Sequence, residues 1–185
     1  VLTGPIEADF LDLPPEVLQT SMREHQKFFS LRDRASGQIT RFATVANIEA
    51  PDGGETILAG NRRVLAARLS DARFFWENDL RVARAGLKPW LERLETVTFH
   101  GKLGSQGARI ARIADLARLI APALGANAEE AVQAAQIAKA DLASQMVYEF
   151  PELQGVMGGY YARAAGLSGA VVAACAEHYR PLGPA

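Results

Sequence analysis

Two hydrophobic periodicities divide the chain, and the first half carries the β-type pattern. Residues 27–32 and 39–46 are rich in β-branched and aromatic side chains and flank the turn-forming residues 34–37, so they predict an antiparallel hairpin. Before them, Leu13-Pro14-Pro15-Glu16 opens a predicted helix that runs to about Glu24. Because a two-stranded hairpin is marginally stable alone, this one is expected to pack on a further element.

A long amphipathic helix is predicted from about Glu55 to Arg84, after the breaker Pro51-Asp52-Gly53-Gly54. A short amphipathic segment follows at 90–94, and residues 97–99 read as a short extended stretch. The apolar side chains of the long helix fall on one stripe, which contains Leu58, Leu65, Leu69, Ala72, Trp76 and Leu80.

From Gly104 onward the periodicity is helical almost throughout. Helices are predicted at about 105–124, 128–149, 151–165 and 168–179, the last one ended by Pro181. The alanine-rich segment 128–149 is apolar on nearly every side, which predicts a central, buried helix. In the helix before it, the positions expected to point inward are Ile110, Ile113, Leu116, Ala117 and Ile120.

The predicted fold class is therefore mostly α, α+β overall. A small α/β region with a β-hairpin and a long connecting helix is assigned to residues 1–95. A helical bundle is assigned to residues 96–185, with the change of pattern between 95 and 103.

Composition narrows the function classes. With 49% hydrophobic residues, 22% charged residues and a net charge of −1, the chain is a folded protein, and contact with nucleic acid must use a local basic face. Its single cysteine excludes a disulfide framework and a multi-cysteine zinc site. The chain has no apolar run long enough for a membrane span, no signal peptide and no initiator methionine, so we expect an internal fragment of a longer cytoplasmic protein.

The histidines offer no metal site, because His25, His100 and His178 lie far apart in the sequence. Asp141 stands in the most apolar segment and is expected to be buried and paired. HD-domain phosphohydrolases carry His-x-x-Arg-Ile on one helix and His-Asp on the next, and hold a metal that activates water. Arg109 and Ala140 stand at the two histidine positions, so the segment resembles an HD fold without its metal ligands, and a degenerate metal phosphohydrolase is one alternative.

Basic residues suggest a second chemistry, the binding of RNA phosphates. Lys102 precedes a predicted helix N-terminus in a glycine-containing loop, and helix N-termini favour phosphate. The long helix carries several arginines, which form either an RNA-binding stripe or a solvated face. The RNA-binding candidates are Lys102, Arg109, Arg112 and Lys139, with Arg62 and Arg63 as a second patch.

Other polar residues are assigned structural roles. Arg68 and Asp71 are expected to pair at i,i+3 spacing, and Asp141 is expected to accept hydrogen bonds or the charge of an arginine or lysine. Glu149 and Glu152 have the spacing of an acid–base pair, but no nucleophile or base partner accompanies them, so a place for Glu152 in the first turn of a helix is the favoured interpretation. No catalytic residue and no metal ligand is assigned.

Several blocks of sequence, in order, resemble the beta subunit of the bacterial tetrameric glycyl-tRNA synthetase from about residue 12 to the end. They include Met22-Arg23-Glu24-His25-Gln26-Lys27-Phe28-Phe29, Gly60-Asn61-Arg62-Arg63-Val64-Leu65-Ala66-Ala67-Arg68-Leu69, Lys102-Leu103-Gly104, Ala138-Lys139-Ala140-Asp141-Leu142, Met146-Val147-Tyr148-Glu149-Phe150-Pro151-Glu152-Leu153-Gln154-Gly155 and Glu177-His178-Tyr179-Arg180-Pro181.

That resemblance implies an α2β2 glycine–tRNA ligase whose alpha subunit activates glycine with ATP and Mg. The beta subunit binds tRNA(Gly) and supports assembly. The fragment would hold the end of a B3/B4-like region and most of an HD-like helical domain. It is expected to be inactive alone and to need no cofactor of its own. A structural scaffold without RNA contact remains the other alternative.

Overall fold

The computed structural model describes residues 1–180 and Gly183, apart from the side chain of His25. The predicted helix stop at Pro181 lies outside the described residues. The chain divides into two compact units, Val1–Trp76 and Glu77–Ala185. Over residues 1–180 and 183, no helix is both long and apolar enough to cross a lipid bilayer.

The unit Val1–Trp76 contains a three-stranded antiparallel sheet with the order β1 (Leu2–Pro5), β3 (Ile39–Thr44), β2 (Phe29–Arg32). The predicted hairpin is confirmed, with Phe29 opposite Ala43 and Leu31 opposite Arg41. Strand β1 was not predicted, because it contains Gly4 and ends on Pro5. Those residues are tolerated there because β1 is an edge strand that pairs only with β3 in the described sheet.

Two helices accompany this sheet in sequence. Helix α1 (Pro15–Gln26) begins with proline in its first turn and ends at Lys27, whose φ of 54° is left-handed. Helix α2 (Glu55–Arg84) has the predicted bounds. The Asp52 carboxylate sets its start by accepting hydrogen bonds from the backbone N–H groups of Gly54 and Thr56, both at 2.9 Å. A hydrogen bond with the Thr56 side chain, together with these backbone bonds, lowers the Asp52 pKa to about 2.

The unit Glu77–Ala185 is mainly helical, as predicted, and begins inside α2. Its remaining elements are α3 (Lys88–Leu94), β4 (Thr98–His100), β5 (Gly104–Ser105), α4 (Gln106–Ile120), α5 (Ala128–Ile137), α6 (Gln145–Glu149), α7 (Val156–Ala164) and α8 (Gly169–Glu177). Strands β4 and β5 form a short antiparallel hairpin. Helix α5 packs against both α4 and α8.

The predicted continuous helix 128–149 is wrong. The structure ends α5 at Ile137, inserts a 3-10 turn at Ala140–Ala143 and starts α6 at Gln145. Ser144 makes the break: its Oγ donates to the Asp141 carbonyl at 2.7 Å and accepts from the Val147 N–H at 3.1 Å. A serine that caps the next helix competes with the continuation of the previous one.

Asp79, near the end of α2, holds α6 at its N-terminus. Its carboxylate accepts from the Gln145 N–H at 3.0 Å, the Met146 N–H at 2.9 Å and the Tyr161 hydroxyl at 2.8 Å. Asp79 is buried, and this desolvation raises the pKa of its carboxyl group above the usual range. Within this unit the carboxylate therefore ties the end of α2 to α6 and α7.

The predicted helix 151–165 is also shorter than expected. Residues Pro151–Leu153 form a 3-10 turn, and α7 begins only after Gly155, whose φ of 82° requires glycine. The predicted cap of the last helix is confirmed, because the Ser168 hydroxyl accepts from the Val171 N–H at 3.4 Å.

The inward face predicted for α4 is largely wrong. Ile110 and Ala114 are buried, but Ile113, Leu116 and Ile120 are exposed. Helix α5 covers one side of α4, and the apolar stripe runs past the covered side. We call the exposed residues Ile113, Leu116, Leu119, Ile120 and Leu124 the α4 apolar face.

Along the chain, the boundary between the two compact units falls between Trp76 and Glu77, whereas the sequence pattern changes near residue 95. The difference arises because residues 77–94 pack with the helical unit, through Asp79 on α6 and through the Trp90 ring, 4.9 Å from the ring of Tyr161. The HD-like character of the helical unit stays a prediction.

Candidate functional site

The hairpin β4–β5 presents Lys102 at the start of α4. Lys102 lies exposed in the turn between the two strands, and its backbone N–H donates to Nδ1 of His100 at 3.2 Å. Ser105 ends the hairpin and caps α4, because its hydroxyl accepts from the Ala108 N–H at 3.1 Å. The cation therefore stands beside a capped helix N-terminus.

Two arginines of α4 contact the same hairpin. The Arg112 Nη2 donates to the carbonyl of Leu103 at 3.1 Å. The guanidinium of Arg109 lies 4.4 Å from the ring centre of Phe99, whose side chain is 40% exposed. The hairpin therefore gathers three of the predicted RNA-binding cations and adds an accessible aromatic ring, a combination that suits an RNA backbone and its bases.

Lys139, the fourth candidate, lies in the segment between α5 and the 3-10 turn. It is only 9% exposed, and its Nζ lies 3.7 Å from the ring centre of Tyr179. Burial, together with the positive charge of Arg109, lowers the pKa of Lys139 to about 8, while the charge of Asp141 acts in the opposite direction. The fold thus keeps two cations near each other, one of them largely removed from water.

Asp141 is buried, with 1% exposure, as its apolar surroundings predict. Its Oδ2 accepts from the backbone N–H groups of Gly155 at 2.6 Å and Gly158 at 3.1 Å. The donors of these bonds are backbone N–H groups at the N-terminus of α7 and not an arginine or lysine side chain, although the positive charge of Lys139 also acts on the carboxylate. The Oδ1 atom is buried without a hydrogen-bond partner among the described residues. Burial raises the pKa of the Asp141 carboxyl group.

His178 lies beside the buried lysine. Its Nδ1 is 2.8 Å from the carbonyl of Cys175, so this nitrogen carries the proton and donates. Burial, together with the charges of Lys139 and Arg109, lowers the pKa of His178. The Nε2 atom is buried and has no hydrogen-bond partner in the described part of the chain.

The second basic patch belongs to the other unit. Arg62 and Arg63 are exposed on α2, and Arg62 borders a shallow depression next to Pro5. Arg68 and Asp71 are exposed, and no ion pair joins them among residues 1–180 and 183. Glu149 is exposed at the end of α6.

Metal chemistry finds no support in the side-chain arrangement. Over the described residues, no three histidine, cysteine or carboxylate side chains lie close enough together to hold a metal ion. The one cysteine, Cys175, is buried, and burial raises its pKa to about 12, so its thiol is unreactive at neutral pH.

Sequence reasoning missed the aromatic partners of these cations. Phe99 and Tyr179 lie under the charges of Arg109 and Lys139, yet they are 10 and 40 residues away from them in the chain. A local signal for the first pair was the position of Phe99 close to His100 and Lys102 in the sequence.

Comparison with known proteins decides the family. The family profile described as glycyl-tRNA synthetase beta subunit matches residues 1–185. The chain belongs to that family. Among curated proteins it is 68% identical over 183 residues to the glycine–tRNA ligase beta subunit of Dinoroseobacter shibae and 56% identical over 185 residues to that of Phenylobacterium zucineum. The beta subunit of Rhodospirillum centenum is 48% identical over 187 residues.

These matches cover almost the whole chain but only part of each relative. They include 99%, 98% and 100% of the present chain, and 25%, 27% and 26% of the three relatives. The chain therefore spans about a quarter of the length of the curated beta subunits, and the resemblance noted in the sequence is confirmed.

Proposed function

We propose that this chain is the part of a glycine–tRNA ligase beta subunit that contacts tRNA through the hairpin β4–β5 and the first turns of α4. The observation that carries the proposal is that Lys102 lies in the hairpin β4–β5, Arg112 contacts the hairpin at Leu103, and Arg109 stacks on the partly exposed Phe99. Cations on an exposed surface attract the phosphate backbone, and the aromatic face accepts an unstacked base. Membership of the beta-subunit family supports tRNA(Gly) as the RNA.

The chain itself contributes binding and not the reaction. Glycine activation with ATP and Mg belongs, in this proposal, to the alpha subunit of the complete enzyme. The absence of a matching group of metal ligands in the described residues gives the degenerate phosphohydrolase alternative no supporting observation.

Charge reversal in the full-length beta subunit tests the RNA contact. Lys102→Glu combined with Arg112→Glu is expected to raise the tRNA KM of glycylation by about tenfold, taking roughly 0.7 kcal/mol for each exposed ion contact. ATP–glycine activation by the alpha subunit is expected to stay unchanged. Arg118→Glu, on the same helix and exposed, is the matched control.

The salt dependence separates the competing explanations. The difference in tRNA KM between the wild type and the double variant should shrink as salt rises, because phosphate neutralisation releases counterions. If the double variant charges tRNA normally at moderate salt, these residues form a solvated face, and the structural-scaffold alternative replaces the RNA contact.

The α4 apolar face favours a second role, in assembly. Its residues include Leu119, which is 75% exposed, and a contiguous apolar face of this kind is typical of an interface. We propose that the alpha subunit covers it in the complete enzyme. Leu116→Lys with Leu119→Lys in the full-length beta subunit should then reduce co-purification with the alpha subunit.

A matched control for assembly is Arg118→Gln, between the two leucines. If the double lysine variant retains the alpha subunit but unfolds at a lower temperature, the face is covered by other residues of the beta subunit, and the assembly proposal fails.

A further inference from the structure

A cavity in the unit Val1–Trp76 lies where α1 ends and β2 begins. Its volume is about 390 Å³, which falls in the range of sites that bind small ligands. Six residues from one short stretch of the chain line it: Gln19, Arg23, Lys27, Phe28, Phe29 and Ser30. Because the end of the helix leads directly into the strand, the local fold surrounds one space with two cations and two aromatic rings.

The two phenylalanines have different environments. The Phe28 ring is buried and stacks on the ring of Phe42, with 4.9 Å between the ring centres. Successive side chains of an extended chain point to opposite faces, so the anchoring of Phe28 turns Phe29 away from the buried face. Phe29 is 64% exposed, which leaves a large apolar ring in contact with water at the cavity. Such a ring offers a flat surface on which an unpaired base stacks.

One carboxylate holds the two cations of the cavity. The Nε atom of Arg23 lies 2.6 Å from Oε1 of Glu24, and the Nζ atom of Lys27 lies 3.7 Å from Oε2 of the same residue. Two positive charges and one negative charge leave one positive charge in excess. The Arg23 and Lys27 side chains are 57% and 77% exposed, so a ligand reaches both from solvent. The cavity therefore combines an apolar ring with a positive charge.

The backbone at Lys27 supports a role for its side chain in binding. This residue ends α1 in the left-handed conformation, with a φ of 54°, and the next N–H, of Phe28, donates to the carbonyl of Met22 at 3.0 Å. Glycine or asparagine is the usual residue at such a helix end, because other side chains are strained there. The lysine is therefore less favourable than glycine for the fold, and what it adds is a cation at the cavity.

We propose that this cavity binds one unpaired nucleotide of an RNA strand. The base stacks on the ring of Phe29, and Arg23 and Lys27 supply the positive charge for its phosphate. An unpaired nucleotide fits because it presents a free aromatic face and a negative charge together, whereas the bases of a duplex are stacked on one another. The site lies in the other unit from the hairpin β4–β5 and does not rest on the RNA contact proposed there.

Fluorescence anisotropy with a labelled uridine oligonucleotide of about seven nucleotides tests the site in the full-length beta subunit. All variants carry Lys102→Glu and Arg112→Glu, so that the hairpin β4–β5 contributes little. Phe29→Leu keeps an apolar side chain but removes the aromatic face, and should weaken binding by about fivefold or more. Lys27→Gln should reduce the magnitude of the slope of log affinity against log salt by about 0.7, the value for one phosphate of a single strand. Phe29→Leu should leave this slope unchanged.

Two exposed residues of the same unit provide matched controls. Phe74→Leu removes a ring on α2 that is 59% exposed, and Arg34→Gln removes a cation in the turn between β2 and β3. Both variants should bind the oligonucleotide as tightly as their parent. The melting temperature of each variant establishes that it is folded. A blunt RNA duplex of the same length should bind equally well with and without Phe29→Leu.

The proposal is overturned if the parent binds no oligonucleotide at about 100 μM, the weak end of non-specific binding, or if Phe74→Leu loses as much affinity as Phe29→Leu. It is also overturned if Phe29→Leu lowers the melting temperature and leaves RNA affinity unchanged, because other residues of the beta subunit then cover the cavity. If Lys102→Glu with Arg112→Glu leaves the tRNA KM unchanged while Phe29→Leu weakens oligonucleotide binding, the proposed function fails and this site stands.

Discussion

Replacing Asp141 by alanine tests how α7 is held in the helical unit. The N-cap of α7 is Gly155, which has no side chain to cap the helix. Asp141 supplies the missing acceptor from the 3-10 turn, with its Oδ2 at 2.6 Å from the Gly155 N–H and 3.1 Å from the Gly158 N–H. The variant leaves both N–H groups buried and without this acceptor.

The magnitude follows from those two bonds. Each buried donor left without a partner costs about 1–3 kcal/mol, so the two together cost roughly 2–6 kcal/mol. Removal of a desolvated carboxylate, whose pKa is raised by burial, offsets part of this loss. We expect Asp141→Ala to lower the free energy of unfolding by about 2–4 kcal/mol. Asp141→Asn keeps an acceptor oxygen and should cost ~1 kcal/mol or less.

The assay is urea unfolding followed by the fluorescence of Trp90. This residue is buried in the helical unit, with its ring 4.9 Å from the ring of Tyr161, and a Trp76→Phe background removes the other tryptophan. An alanine variant that loses less than about 1 kcal/mol would refute the capping role. An asparagine variant as unstable as the alanine variant would show that the charge of Asp141, and not its acceptor oxygen, stabilises the fold.

The pH dependence gives an independent check with a defined sign. Burial raises the pKa of Asp141 in the folded state above its ordinary value of 3.8. Its contribution to stability is therefore fully present below the unfolded pKa and is lost as pH rises through the folded pKa. Asp141→Asn should reduce this loss. Part of the slope should remain, because burial also raises the pKa of Asp79.

Two further outcomes concern stability, each measured by the same urea unfolding. The losses of unfolding free energy caused by Asp79→Ala and Tyr161→Phe should be non-additive, because the two side chains share a buried hydrogen bond of 2.8 Å. A double-mutant cycle should give a coupling of about 0.5–3 kcal/mol. Additive losses would show that this hydrogen bond does not contribute to stability. Leu119→Lys should change the free energy of unfolding by less than about 0.5 kcal/mol, since the side chain is exposed, and a larger loss would mean that the helix face is covered.

The parts of the fold that could be predicted carry their own local signals. Helix α2 was predicted with its exact bounds because a breaker precedes it, a periodic stripe runs through it and Gly86 follows it. The hairpin of β2 and β3 was predicted from alternation around a polar turn. In both cases neighbouring residues determine the structure.

The breaks inside residues 128–165 depend on partners that are distant in the sequence. An alanine-rich segment has high helix propensity along its whole length, so its periodicity does not show where a helix stops. The break between the 3-10 turn at Ala140–Ala143 and α6 follows from Ser144 and from Asp79, which lies 66 residues before Gln145. Such a contact is invisible to local pattern reasoning.

The α4 apolar face shows a second limit of prediction from the local sequence pattern. The spacing of its leucines and isoleucines correctly identifies an amphipathic helix, but the same pattern fits a helix packed in its own unit and a helix packed on a partner. Only the structure shows that α4 packs against α5, that Ile110 and Ala114 are buried, and that Leu116 and Leu119 remain exposed. The prediction of an amphipathic helix was therefore sound, while the predicted inward positions were largely wrong.

The candidate site divides into an exposed part and a buried part, and salt distinguishes them. Lys102 and Arg112 are exposed, so their attraction to phosphates is screened over about 10 Å at 0.1 M salt. Lys139 is buried under Tyr179, where screening is much weaker and a ligand group must come close to be bound. The contribution of the exposed pair to RNA affinity should therefore fall steeply as salt rises, whereas that of Lys139 should persist.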